Sequence, residues 1–151
     1  MTYLLDTCII SKLRTIAKKP EPALESWISQ HQENQYFLSV LTIGEIQSGI
    51  FKSDNNRQKR ILEDWLWGSI VPRFAKRILE IDMNTMSCWG ELSGKHSKKG
   101  LTLPSIDSLL AATAIRNNLI LVSHNSKDFE KMNGLKFFNP WENSEDDFIR
   151  I

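Results

Sequence analysis

Short apolar runs alternate along this chain with longer stretches in which apolar residues recur every three or four positions. Residues 3–6 read as a strand that ends on the carboxylate of Asp6, and residues 7–17 as the helix that follows. In PEPALESWISQHQ, Pro22 falls in a first helical turn, with Ala23, Trp27 and Ile28 at helical spacing. YFLSV is short, aromatic and β-branched, a strand, and TIGEIQSGIFKS is the next helix, with Thr42 as its cap. RQKRILEDWLWGSIVPRF puts Ile61, Leu62, Trp65 and Leu66 on one core-facing side until Pro72 interrupts it, and RILEID then reads as a strand. NTMSCWGELSGKHSKKG is a helix with Met86 and Trp89 on one side, ending before Gly100. SIDSLLAATAIRNN runs from Pro104 to a stop at Asn117-Asn118, LILV is a strand, SHNSKDFEKM begins a short helix and LKFFNPW holds the last strand.

Strands separated by helices of this length make βαβ units, so the expected fold is α/β, a central mostly parallel sheet flanked by helices on both faces. No repeat, biased segment or linker divides the chain, and residues 1–151 read as a single domain. In such sheets the carboxyl ends of the strands lie along one edge, where ligands bind. Four acids sit at strand-to-helix junctions on that edge: Asp6 after the first strand, Glu45 after YFLSV, Asp107 in the first turn of SIDSLLAATA and Asp128 shortly after LILV. Each has an ordinary explanation. Asp6 caps a helix, Glu45 completes a capping box with Thr42, Asp107 sits near a positive helix end, and Asp128 pairs with Asn125 in capping-like spacing. Together they strain that explanation. Close carboxylate pairs repel by on the order of 4 kcal/mol at an effective dielectric near 20, more than caps of roughly 1 kcal/mol offset. Convergence therefore calls for a cation, and an all-oxygen acid set suits Mg²⁺ or Mn²⁺.

Composition narrows the setting. The chain has 151 residues, 41% hydrophobic and 25% charged, ordinary for a soluble globular protein. Cys8 and Cys88 are isolated, which favours a reducing, cytoplasmic location, and no run approaches the roughly 18 apolar residues of a membrane span. A net charge of +1 excludes a strongly basic nucleic-acid coat. The cations nevertheless cluster, at Lys12, Arg14, Lys18 and Lys19, at Arg57, Lys59 and Arg60, and at Lys95, His96, Lys98 and Lys99.

The motifs LLDTCIISKL, LSVLTIGEIQSGI, LTLPSIDSLLAATA, LVSHNSKDF and the closing NPWE, in this order and spacing, resemble the PIN domain family over nearly the whole chain. Within it the chain is similar to VapC-type toxins of toxin-antitoxin pairs, including the FitB-like branch. The resemblance implies a PIN-like fold and a Mg²⁺- or Mn²⁺-dependent endoribonuclease. It also implies a VapB-like antitoxin that blocks the acidic pocket, and a homodimer that assembles further with that antitoxin. Carried over by motif, Asp6, Glu45 and Asp107 match the three metal-binding acids and Asp128 the fourth, more variable one. Thr7 matches a hydroxyl residue supporting the site, and Asn125 stands where some members have another acid, leaving it either a water-orienting group or a helix cap. The implied reaction is metal-assisted phosphodiester hydrolysis of RNA, most readily at a single-stranded loop such as that of a tRNA. Lys12, Arg14, Lys95, Lys98 and Lys99 are the candidate backbone contacts.

The chain departs from the family at Cys8, in place of asparagine, and at Ser123-His124, in place of Thr-Arg. A thiol is a poor Mg²⁺ ligand, so Cys8 is read as packing, and His124 offers a weaker, pH-dependent phosphate contact. His31 and His96 lack metal-ligand spacing and read as surface residues. Trp67 points away from Trp65, toward an interface or toward solvent. The main alternative to an enzyme is a catalytically silent PIN-like module that binds RNA or protein.

Overall fold

A computed structural model describes residues 1–144. Five strands form one sheet in the order β3-β2-β1-β4-β5: β1 (Tyr3–Leu5), β2 (Tyr36–Ser39), β3 (Ile78–Leu79), β4 (Ile120–Val122) and β5 (Phe137–Phe138). Every pairing is parallel, so the expected mostly parallel sheet is wholly so. Tyr3 of the central strand lies opposite Tyr36 on one side and Ile120 on the other. The helices are α1 (Thr7–Arg14), α2 (Pro22–Ser29), α3 (Val40–Lys52), α4 (Asn56–Trp65), α5 (Val71–Phe74), α6 (Met83–Lys98), α7 (Ser105–Arg116) and α8 (Ser126–Phe129). Among the described residues none is long and apolar enough to cross a membrane.

The strands are apolar on both sides because both faces are covered, as parallel sheets require. Tyr3, Leu5, Tyr36, Leu38, Ile120, Val122 and Phe138 pack on one face with Ile9, Leu24, Trp27, Ile50 and Phe74. Leu4 and Leu121 face the other way, against Leu92, Leu110, Ala111, Phe129 and Met132. Phe129 is fully buried and stacks on Phe137 with ring centroids 5.7 Å apart. Its truncation to Ala should cost about 3–5 kcal/mol in urea unfolding; a loss under about 1 kcal/mol would show that the site collapses around the deletion.

Several local expectations are corrected. Helix α3 starts at Val40, not Thr42, because Ser39 is the cap and its Oγ accepts from the Leu41 N–H at 3.0 Å. Thr42 lies inside the first turn, fully buried, so the capping box with Glu45 does not form. The helix carrying Pro72 breaks upstream of it, in a π-helical turn over Leu66–Ile70 where the Val71 N–H bonds back to the Leu66 carbonyl. Pro72 has no N–H for the next rung and its ring crowds the preceding carbonyls, so the widened turn precedes it. Pro72 itself sits in the first turn of α5. Helix α4 buries no residue completely: Leu62 and Trp65 pack partly buried against the core, while Ile61 is 47% exposed instead of packed there. Helix α1 stops at Arg14, short of 17, and the RILEID strand contracts to Ile78–Leu79.

The two stops read from Gly100 and Asn118 both hold. Gly100 (φ 77°) and Asn118 (φ 53°) each follow a helix in left-handed conformation, and the next N–H in each case reaches back to a helix carbonyl, Leu101 to His96 and Leu119 to Ala114. Both other histidine expectations fail. His96 is only 4% exposed and its Nε2 accepts from the Asn133 N–H. His31 is half-buried, its ring 4.9 Å from Tyr3 and 5.0 Å from Trp27, with Nε2 3.1 Å from the Tyr3 hydroxyl. Neither burial shows in local spacing, since each depends on an element far along the chain.

Candidate active site

Strand order reverses at β1, whose neighbours β2 and β4 are reached by connections running in opposite directions, and crevices at such a switch point bind ligands. Asp6 follows β1 there and Ser123 follows β4. Asp6 is 5% exposed and caps α1: one carboxylate oxygen accepts from the Thr7 N–H at 2.7 Å. The other accepts from the Ser123 hydroxyl at 2.7 Å, and Cys8 Sγ lies 3.6 Å from it. Asp6 is thus both the helix cap that local grammar expects and a buried carboxylate facing the crevice.

Thr7 joins the first acid to the second. Its backbone holds Asp6, while its hydroxyl lies 2.8 Å from Glu45 Oε1, to which it donates, and 3.2 Å from the Thr42 hydroxyl. Burial pushes the Glu45 carboxyl up, the Thr7 hydroxyl partly opposes that, and the Asp6 charge adds to it. Asp107, in the first turn of α7, is pushed up to about 6, first by burial and then by the charges of Asp6, Asp128 and Glu45. Asp6, Asp128 and Glu45 therefore all act electrostatically on Asp107, and Asp6 acts on Glu45 as well. Among the described residues no three Asp, Glu, His or Cys groups already surround one point closely enough to hold an ion. The donor set is nonetheless oxygen-only, hard and over-charged, the chemistry that fits Mg²⁺ or Mn²⁺.

Asn125 occupies the cap position of α8, where its carbonyl oxygen accepts from the Asp128 N–H while its side chain makes no capping bond. Cys8 packs partly buried against the core, with its Sγ 3.6 Å from both Asp6 Oδ2 and the Ser123 hydroxyl; burial, followed by the Asp6 charge, pushes its thiol up to about 11. Lys12 is already committed, 3.2 Å from Glu21 and over the Trp141 ring, and Arg14 lies over Trp65. Lys95, Lys98 and Lys99 are exposed on the last turn and cap of α6, with no ion pair to the site acids among the described residues. Trp67 is 53% exposed and donates from Nε1 to Gln47, a surface position that both of its alternatives share.

Two supporting residues were missed. In the sequence Ser123 stands out only as a departure from the family, yet it is fully buried and anchors Asp6. Asn139, 1% exposed, donates to the His124 carbonyl and the Ser126 hydroxyl and so holds the loop that carries Asn125. The usable signal for Ser123 was its place: a small hydroxyl residue directly after the strand that flanks β1.

A family model for the PIN domain matches residues 3–135. The VapC ribonuclease Y4jK of Sinorhizobium fredii is 28% identical over 138 residues, covering 91% of this chain and 96% of that protein. Toxin FitB of Neisseria gonorrhoeae is likewise 28% identical over 138 residues, covering 91% of this chain and 97% of the toxin. The crystal structure of FitAcB from Neisseria gonorrhoeae contains a chain that superposes with a TM-score of 0.81 at 26% identity, covering 94% of this chain and all of that one.

Proposed function

The chain belongs to the PIN domain family, and from that membership we propose that it is a Mg²⁺- or Mn²⁺-dependent endoribonuclease acting as the toxin of a toxin-antitoxin pair. One observation carries the reading: the charges of Asp6, Asp128 and Glu45, from three other segments, all act on the Asp107 carboxyl and raise it. The names of the ribonuclease Y4jK and of toxin FitB support it. In this reading Asp6, Glu45, Asp107 and Asp128 hold the ion. Bound there, Mg²⁺ or Mn²⁺ would stabilise charge on the scissile phosphate and lower the pKa of a water, easing loss of its proton to solvent as its oxygen attacks the phosphorus.

The chain's own contribution is position. Thr7 and Ser123 between them fix both oxygens of Asp6, and Thr7 also restrains Glu45, so two acids point into the crevice before anything binds. Asn125, whose side chain makes no capping bond, is assigned to orienting a water at the crevice. Lys95, Lys98 and Lys99 are assigned to the RNA backbone; Lys12 and Arg14 would join them only by leaving their present partners. A VapB-like antitoxin covering the acidic crevice would switch the enzyme off, and a homodimer completes the proposed assembly.

Purified chain incubated with single-stranded RNA should cut it in Mg²⁺ or Mn²⁺ and not in EDTA; binding without cleavage in either metal would replace the enzyme by a binding module. Ser123→Ala should weaken the metal dependence of cleavage by roughly 10–100-fold, as loss of an outer hydrogen bond to a ligand does, while Ser123→Thr retains it. A Mg²⁺ titration of activity measures this, and an unchanged half-saturation point would remove Ser123 from the site.

A further inference from the structure

Helix α3 and the first turn of α7 each place one acid at the switch point, and each also lines a second feature beside it. That feature is a groove of about 420 Å³ between them, bounded by Leu41, Gly44, Glu45, Ser48 and Lys52 of α3 and by Ile106, the neighbour of Asp107. Glu45, Ser48 and Lys52 are spaced to share one helix face, with Lys52 about 10 Å along the axis from Glu45 at 1.5 Å per residue. The groove therefore begins at the acid cluster and ends at a cation. Its walls are small or apolar: Ile106 is 41% exposed, and a Cβ at Gly44 would meet no heavy atom within 4 Å, so the helix leaves open space there. Mid-helix glycine weakens a helix relative to alanine, so the opening comes at the expense of helix stability.

We infer that this groove seats the RNA nucleotide next to the scissile phosphate, with its base against Ile106 and Leu41 and the following phosphate on Lys52. The inference rests on the nuclease reading for which phosphate is scissile. RNA fits better than a protein segment for three reasons. The groove is continuous with the acid cluster through Glu45. It holds one small-molecule-sized unit, too little for the successive anchors of a docked helix. Its far end is a lysine with no ion pair among the described residues, placed to meet a phosphate. An unstacked base sits readily between apolar side chains, as bases taken out of a stack do in enzyme pockets.

The test uses the full chain carrying Asp107→Asn, so that binding is read without cleavage, with a short fluorescent single-stranded RNA of mixed sequence in Mg²⁺. Adding Lys52→Ala should weaken binding several-fold and flatten the slope of log affinity against log salt by about 0.7, one phosphate contact to a single strand. Lys52→Arg should restore both. Gly44→Ala should weaken RNA binding while thermal stability holds or rises, an outcome that misfolding cannot produce. In the cleaving chain, Lys52→Ala should raise KM more than it lowers kcat. Unchanged affinity and salt slope in the Lys52 and Gly44 variants would overturn the assignment. So would variants that leave RNA binding intact and weaken only a protein complex, which would give the groove to a protein partner. Failure of the nuclease reading shows separately, as a wild-type chain that binds RNA through the groove and does not cut it.

Discussion

Asp107→Asn is expected to lower RNA cleavage by roughly 10³-fold, the several kcal/mol that a correctly held divalent ion supplies, at 1.36 kcal/mol per tenfold. The same substitution should raise the melting temperature of the metal-free chain near neutral pH. The carboxyl of Asp107 is raised to about 6 by burial and by three neighbouring acids, so the fold disfavours its charge. A raised carboxyl favours the folded state fully below its unfolded value, near 4, and that contribution is lost as pH rises through about 6. Asparagine keeps the shape and removes the charge, so the gain appears above about pH 6 and vanishes near pH 4. An acid that merely complements the positive end of α7 behaves oppositely, its neutralisation costing about 0.3–1 kcal/mol. Thermal melts in EDTA across this range, paired with a cleavage assay, distinguish the two. A melting temperature that falls with cleavage intact would return Asp107 to ordinary helix grammar.

The second large effect is that of the ion itself. At a hundredfold excess over its dissociation constant, a ligand that binds only the folded chain stabilises it by about 2.7 kcal/mol, or roughly 5–10 °C for a protein of this size. The gain should be pH-dependent because ligands must shed protons to bind. Asp107 titrates near 6 and Glu45 is also raised, so Mg²⁺ or Mn²⁺ should shift the melting temperature strongly at about pH 8 and weakly at about pH 5. Asp107→Asn should abolish most of the shift. Equal shifts at both pH values, or equal shifts in the variant, would place the ion elsewhere.

What the chain discloses before folding is mostly its local grammar. The three-residue apolar runs of β1, β4 and the start of β2 are unbroken because both faces are buried, and Gly100 and Asn118 announce their helix ends because few residues accept a left-handed backbone. The acids are legible because strand order converts position along the chain into position along an edge. What local grammar misleads about depends on distant contacts. Thr42 carries every mark of a cap, but Ser39 is nearer the strand end and takes the role; Thr42 then meets Thr7, a partner on another helix. His96 looks like one more cation in a basic run until Asn133, across the fold, supplies its hydrogen bond. Ser123 is silent in any window of sequence, because its function is to hold a side chain 117 positions away.

The brevity of β3 and β5 has a consequence for association. Both edges of the sheet end in strands of two residues, Ile78–Leu79 and Phe137–Phe138, too short to template a row of main-chain pairing. The molecule therefore offers little to a visitor that recognises by adding a strand. Whatever it recruits, another copy of itself or an inhibitor, must be chosen by side chains on its helices and in its acidic crevice. That makes its company a matter of sequence, and guards the small sheet against indiscriminate edge-to-edge stacking with its neighbours.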